Sequence, residues 1–198
     1  MGLDLDNTNG QTPLEEDEKA GLLIATITTR AELDEFEQLG VEKAIEWTMK
    51  RKLGLQQILT EDFVRELHKR MFEEIWKWAG RFRTSDKNLG VDQNNIHTEA
   101  KRLLDDCRYW IDHNVFAGDE IAVRFSHRIV SIHSFSNGNG RHSRLIADIL
   151  VSHGFDRPCF SWGRINLTAH GAARSAYLKA LRKADDNDYQ SLIDFARQ

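Results

Sequence analysis

Proline restricts this chain most by its absence: between Pro13 and Pro158 lie 144 residues without one. Proline breaks helices and punctuates the turns of loop-rich β proteins, so a gap this long favours a helical fold. The 198 residues fit one domain, or one domain with a small attachment, and suffice to bury a sizeable core. Five Trp and ten Phe within 40% hydrophobic content exclude a disordered chain. No apolar run approaches the ~20 residues that cross a bilayer. The acidic start, Met1 to Asp6, lacks the basic region of a secretory signal, so no membrane partner is expected. Cys107 and Cys159 form no CxxC pair, and Cys107 falls on the apolar side of a predicted helix as a core thiol. A cytoplasmic protein without structural disulfides is the expectation. The net charge of -4 argues against general nucleic-acid binding.

Residues 1–27 read as a polar arm ending in Leu22-Leu23-Ile24, and 28–198 as the domain proper. Thr29-Arg30-Ala31-Glu32 has the form of a capping box, followed by Leu33, Phe36 and Leu39 at helical spacing. Gly40 is expected to end or bend this short helix, at 29–39. A second helix over 41–52 places Ala44, Ile45 and Met49 inward. Thr60 caps a third, with Phe63, Val64, Leu67, Met71 and Ile75 on one face. Residues 84–97, rich in Ser, Asp, Asn and Gly, read as a loop or short hairpin. Helical patterns resume around Leu103, Ile121, Leu145, Ala172 and Leu192. The fold class is all-α with one small β-hairpin.

The chemistry concentrates in His133-Ser134-Phe135-Ser136-Asn137-Gly138-Asn139-Gly140-Arg141-His142-Ser143-Arg144. A glycine turn entering a helix aims several N–H groups one way, and such a nest at a positive helix end binds anions. Arg141 and Arg144, three apart, share a helix face and can hold a di- or triphosphate. A neutral His133 across the turn can take a proton from an incoming hydroxyl. The bland alternative is a glycine turn with surface arginines and a structural histidine. No GxxxxGK[ST] loop is present.

This segment resembles the signature of the Fic (filamentation induced by cAMP) family, H-x-F-x-[D/E]-G-N-G-R-x-x-R, at every fixed position but one. Trp78-Ala79-Gly80-x-x-Arg83 resembles the family's lead into its flap, and Tyr177-Leu178-x-Ala180-Leu181 its C-terminal helix. The resemblance spans roughly 30–197, and its pattern is most similar to the subgroup called mobile mystery protein B. It implies a Fic-type helical bundle and a protein adenylyltransferase that moves AMP from ATP to a hydroxyl side chain. His133 would be the general base and Phe135 the loop anchor. Gly138, Asn139 and Gly140 would cradle phosphates, Asn139 also through its side chain. Arg141 would hold the β-phosphate, Arg144 the γ-phosphate, and Mg²⁺ would bridge α and β. Leu89, Gly90 and Val91 would lie in a flap hairpin that aligns a target protein by strand pairing. Tyr177 and Leu178 would lie near the adenine, or simply in the helix core. Family members often form homodimers, which is a partner possibility here too.

One departure and one further candidate follow from the resemblance. Asn137 stands where the family has an acidic metal ligand, offering a carbonyl oxygen without charge, so Mg²⁺ is expected to be held weakly. Many members are inhibited by a glutamate, in a pattern [S/T]-x-x-x-E-[G/N], that pairs with the second arginine. Glu37, in Glu37-Gln38, is the candidate by register; Thr28-x-x-x-Glu32 fits half the pattern. A solvated acidic helix face is the alternative. Other functions stay open: the phosphotransfer of Doc-type relatives, which the intact Gly138-Asn139-Gly140-Arg141 disfavours, and a catalytically weak regulatory module, which Asn137 alone favours.

Overall fold

A computed structural model describes residues 16–164 and 171–198 of the chain; residues 1–15 of the expected arm lie outside the described residues. The elements run α1 (Glu16–Lys19), α2 (Arg30–Met49), α3 (Leu55–Ile58), α4 (Glu61–Phe72), α5 (Ile96–Asp112), α6 (Gly118–Ile132), α7 (Asn139–Ile149), α8 (Ala172–Asp185) and α9 (Gln190–Arg197). A π turn, Leu150–Gly154, extends α7. The all-α expectation holds.

Local chemistry starts these helices where the sequence signals them. The Thr29 hydroxyl accepts from the Glu32 amide while the Glu32 carboxylate accepts from the Thr29 amide, the reciprocal box expected. Thr60 Oγ1 accepts from the Phe63 amide at 3.1 Å. Phe63, Val64, Leu67 and Met71 then form the buried stripe of α4, together with His68 and Phe72.

α2 differs from its expectation in two ways. It is one helix of 20 residues, and Gly40 neither ends nor bends it into two. A Cβ at Gly40 would lie 2.1 Å from the Met71 carbonyl oxygen, so glycine is there to let α2 cross α4 closely. The inward face also differs. Leu33, Glu37, Ala44 and Thr48 are buried at i, i+4, i+11 and i+15, whereas Phe36, Leu39, Ile45 and Met49 are exposed. Apolar spacing misleads here because two polar residues occupy the buried stripe.

The core centres on α6, whose Ile121, Ala122, Val123, Phe125, Ile129 and Ile132 are buried. It packs on α5, α7 and α9, while α4 joins α2 to α7. Cys107 is buried as expected, and desolvation pushes its thiol up to about 12, so it is an inert core group. Residues 16–27 pack on the domain. The Leu23 amide donates to the Ile75 carbonyl, and Leu22 forms an isolated antiparallel bridge with Trp76. The α6–α7 hairpin is the element that positions the site, since the loop between these two helices carries the motif.

Candidate active site

α6 ends at Ile132, and His133 takes the left-handed cap position (φ 55°, ψ 56°). The chain then turns through Gly138, at φ 78°, into α7. A Cβ at Gly138 would meet the Phe72 ring at 2.5 Å, so both its angle and its surroundings require glycine. The opening amides of α7, at Asn139, Gly140 and Arg141, have no carbonyl four residues back within the helix, as an anion nest requires. Asn139 differs from its expectation. Its side chain is buried and clamps the loop, accepting from the Phe135 amide (3.0 Å) and donating to the Phe135 carbonyl (2.7 Å). The side chain is thus spent on shaping the nest, which leaves its backbone amide for a ligand.

Phe135 anchors the loop as expected. It is buried and stacks on the His68 ring at 3.7 Å between centroids. His68 Nδ1 accepts from the Gly80 amide (3.0 Å), which fixes the proton on Nε2 for donation to the Asn137 carbonyl (3.0 Å). Desolvation, followed by the neighbouring His142, holds His68 well below its ordinary pKa and therefore neutral. One buried ring thus ties the Trp78-Ala79-Gly80 turn to the motif loop. Sequence reading placed His68 on no list, although it sits on the inward stripe of α4 where an apolar residue is the norm.

The segment before α5 is irregular rather than a hairpin: among the described residues no strand ladder forms there. Its backbone groups are taken by other partners. The Arg83 amide donates to the Ser134 carbonyl and the Val91 amide to the Ile132 carbonyl. The buried Arg83 guanidinium donates to the carbonyls of His133 (2.7 Å), Ser85 (2.7 Å) and Val91. These bonds pin the flap onto the end of α6. At Gly90 (φ 100°) a Cβ would stand 2.6 Å from the His133 Cβ, so glycine lets the flap pass directly over the histidine. From the other side, Lys87 Nζ pairs with Glu18 at 2.6 Å, with both side chains almost fully buried.

Desolvation lowers His133 to about 4, with Arg83 and Lys87 adding repulsion of the charged form. The imidazole is thereby neutral at physiological pH, the state a proton acceptor needs.

Glu37 is fully buried, which overturns the solvated-face alternative. Its carboxylate accepts from Trp76 Nε1 (2.8 Å) and pairs with Arg141 Nη2 (2.5 Å). The partner is therefore the first arginine of the motif, not the second as the resemblance implies. Arg144 instead lies over the Tyr177 ring at 5.4 Å. Glu32 has its own task, as the capping carboxylate of α2.

A cavity of about 380 Å³ opens beside the loop, and Leu89, Gly90, His133, Gly140, Arg144, Tyr177 and Leu178 all line it. Val91, Gly138, Asn139, Arg141 and Asn137 do not; they form the loop and flap behind it. Tyr177 satisfies both readings, being buried against Trp162 and Phe195 while lining the cavity. The cavity also takes in Arg174, His127 and Asp185, which the sequence reading did not place there. Arg174, Tyr177, Leu178, Leu181 and Asp185 follow one face of α8, and that periodicity was the available signal.

Asn137 does not fit the role of a metal ligand. Its Oδ1 turns back to accept from the Gly138 amide at 2.8 Å, its side chain carries no charge, and its buried Nδ2 has no partner among the described residues. Nor do the described residues bring together three His, Cys, Asp or Glu side chains able to hold a metal.

Comparison with known proteins agrees with this geometry. The Fic/DOC family model matches residues 58–151. A protein adenylyltransferase Fic from Nematostella vectensis is 25% identical over 168 residues, covering 82% of this chain. The chain spans 37% of that relative's length. Fic-1 (residues 134–508) from C. elegans superposes at TM-score 0.68 with 20% identity, over 90% of this chain and 51% of that one. BepC from Bartonella tribocorum, solved with bound AMPPNP, superposes at TM-score 0.66 with 16% identity, over 92% and 97% of the two chains. Residues 58–151 of this chain accordingly match the Fic/DOC family, and the fold around them is that of Fic-domain proteins.

Proposed function

We propose that this chain is a protein adenylyltransferase that moves AMP from ATP to a hydroxyl side chain of a target protein, and that Glu37 restrains it. The observation that carries this reading is the single cavity in which neutral His133, the Gly140 backbone and the Arg144 guanidinium meet. His133 takes the proton of the target hydroxyl, the oxygen attacks the α-phosphorus, and pyrophosphate leaves. The opening amides of α7 and the two arginines stabilise the phosphate charge. Further support comes from the Nematostella vectensis relative's name and from the AMPPNP bound by BepC. The target protein lies along the flap at Leu89–Val91, and the nucleotide base toward Tyr177 and Leu178.

Glu37 restrains the enzyme because Arg141 cannot serve a phosphate and a buried carboxylate at once. Mg²⁺ accompanies the nucleotide rather than resting on a protein carboxylate, since Asn137 supplies none. Asn137→Asp is expected to lower the Mg²⁺ concentration for half-maximal rate; an unchanged Mg²⁺ dependence contradicts this.

Labelled ATP tests the class directly. Incubated with a cell lysate, the wild type should transfer label from the α-phosphate to protein, and His133→Ala should not. Transfer of γ-label instead would assign a phosphotransferase of the Doc kind.

A further inference from the structure

The end of the cavity away from the motif is polar, and its polar groups are ordered in a chain. Residues of α6 and α8 both line the cavity. Arg144 lies over the Tyr177 ring beside the motif, and His127 of α6 meets Asp185 of α8 farther from it. Eight residues of helix separate Tyr177 from Asp185, about 12 Å along the axis. His127 Nε2 lies 2.8 Å from Asp185 Oδ1, and the Tyr189 hydroxyl 3.3 Å from His127 Nδ1. A carboxylate at Nε2 accepts, which leaves Nδ1 to accept from the Tyr189 hydroxyl. Leu178, Leu181 and Val130 give the walls between the two ends an apolar character.

We propose that Asp185, held by the Tyr189–His127 chain, is the base-reading residue of this cavity and selects nucleobases with an amino group at C6 of a purine or C4 of a pyrimidine. This rests on the reading that a nucleoside triphosphate occupies the cavity with its phosphates at the motif. Oδ1 is committed to His127, and the carboxylate has no proton to give, so what it offers a ligand is an acceptor. The 6-amino group of adenine satisfies that acceptor. A 6-oxo purine or a 4-oxo pyrimidine sets oxygen against oxygen and is disfavoured. His127 acts through Asp185 as a positioning residue.

The test compares ATP, purine riboside triphosphate (the same base without its amino group) and ITP in competition binding to the full chain. It is run in wild type and in Glu37→Gly, where Arg141 is available. ATP should bind several-fold more tightly than purine riboside triphosphate, the loss expected for one hydrogen bond to a largely exposed carboxylate. Asp185→Asn carries the second arm. His127 Nε2–H fixes the amide oxygen toward itself and leaves the NH₂ facing the cavity, so preference should move toward ITP. Equal binding of ATP and purine riboside triphosphate overturns the inference and leaves the adenylyltransferase reading standing. An unchanged ratio in Asp185→Asn also overturns it. Failure of both nucleotides to bind in both backgrounds removes the underlying reading and this inference together.

Discussion

His133 is the proposed proton acceptor, and its neutrality has a measurable consequence. Because burial holds the imidazole near 4 rather than 6.5, it loses its basic form only at a pH well below the ordinary histidine range. The acid limb of kcat/KM for transfer is expected below pH 5. A limb centred near 6.5 would show the histidine solvated and the flap open. Glu37 makes a second case at the scale of one residue. Its carboxylate satisfies a buried Trp76 N–H and a largely buried Arg141. Glu37→Gly should therefore unfold more easily, by about 1–3 kcal/mol in denaturant titration, while transferring AMP faster. A variant that is less stable yet no more active would make Glu37 a purely structural residue. Sequence reading singled out both residues. It could not see that Glu37 reaches Arg141 rather than Arg144, because 104 residues separate the pair and only the crossing of α2 over the core sets the distance.

Among the elements, the flap shows how one side chain changes a local outcome. Its Gly- and Asn-containing turn reads as a hairpin, yet Arg83 takes the carbonyls of Ser85 and Val91 that a second strand would use. Arg83→Lys keeps the charge but loses the fork that serves three carbonyls. Transfer to protein should fall at least tenfold, with a cooperative unfolding transition retained. A wild-type rate in that variant would show that the flap holds without the fork. α2 is the complementary example. Its capping box is local and legible, whereas its buried face carries Glu37 and Thr48 and defeats a search for apolar periodicity. Gly40 reads as a helix end because the close crossing with Met71 is invisible in one dimension. The motif loop is the most legible element, since its backbone geometry is dictated by residues adjacent in sequence, Gly138 and Asn139 above all.

For the molecule as a whole, buried titratable groups set the response to acid. His68, His133 and His142 are all held below the ordinary histidine value, His133 and His142 to about 4. In the unfolded chain they protonate near 6.5, before the native state does, so the stability they provide is present above that pH and lost as it falls toward 4. Asp148 opposes them. Burial raises it to about 7, and its contribution is largest at low pH and lost as pH rises through 7. Three histidines outweigh one carboxyl, so the unfolding free energy should drop by a few kcal/mol between pH 7 and 4.5. His142→Gln should flatten that dependence. An equal or higher melting temperature at pH 4.5 would contradict it. At this scale the residues that complete the cavity, Arg174 and Asp185, were hidden in sequence because they lie about thirty and forty residues beyond the motif and join it only when α8 comes to line the same cavity.

In the proposed enzyme His133 performs a transfer that the Glu37–Arg141 pair holds in check. Label from α-labelled ATP, counted on protein for the wild type, Glu37→Gly, and Glu37→Gly with His133→Ala, tests both parts at once. Low incorporation is expected in the wild type, at least tenfold more in Glu37→Gly, and none above background when His133 is also replaced. Incorporation that is unchanged by Glu37→Gly, or that persists without His133, would contradict it.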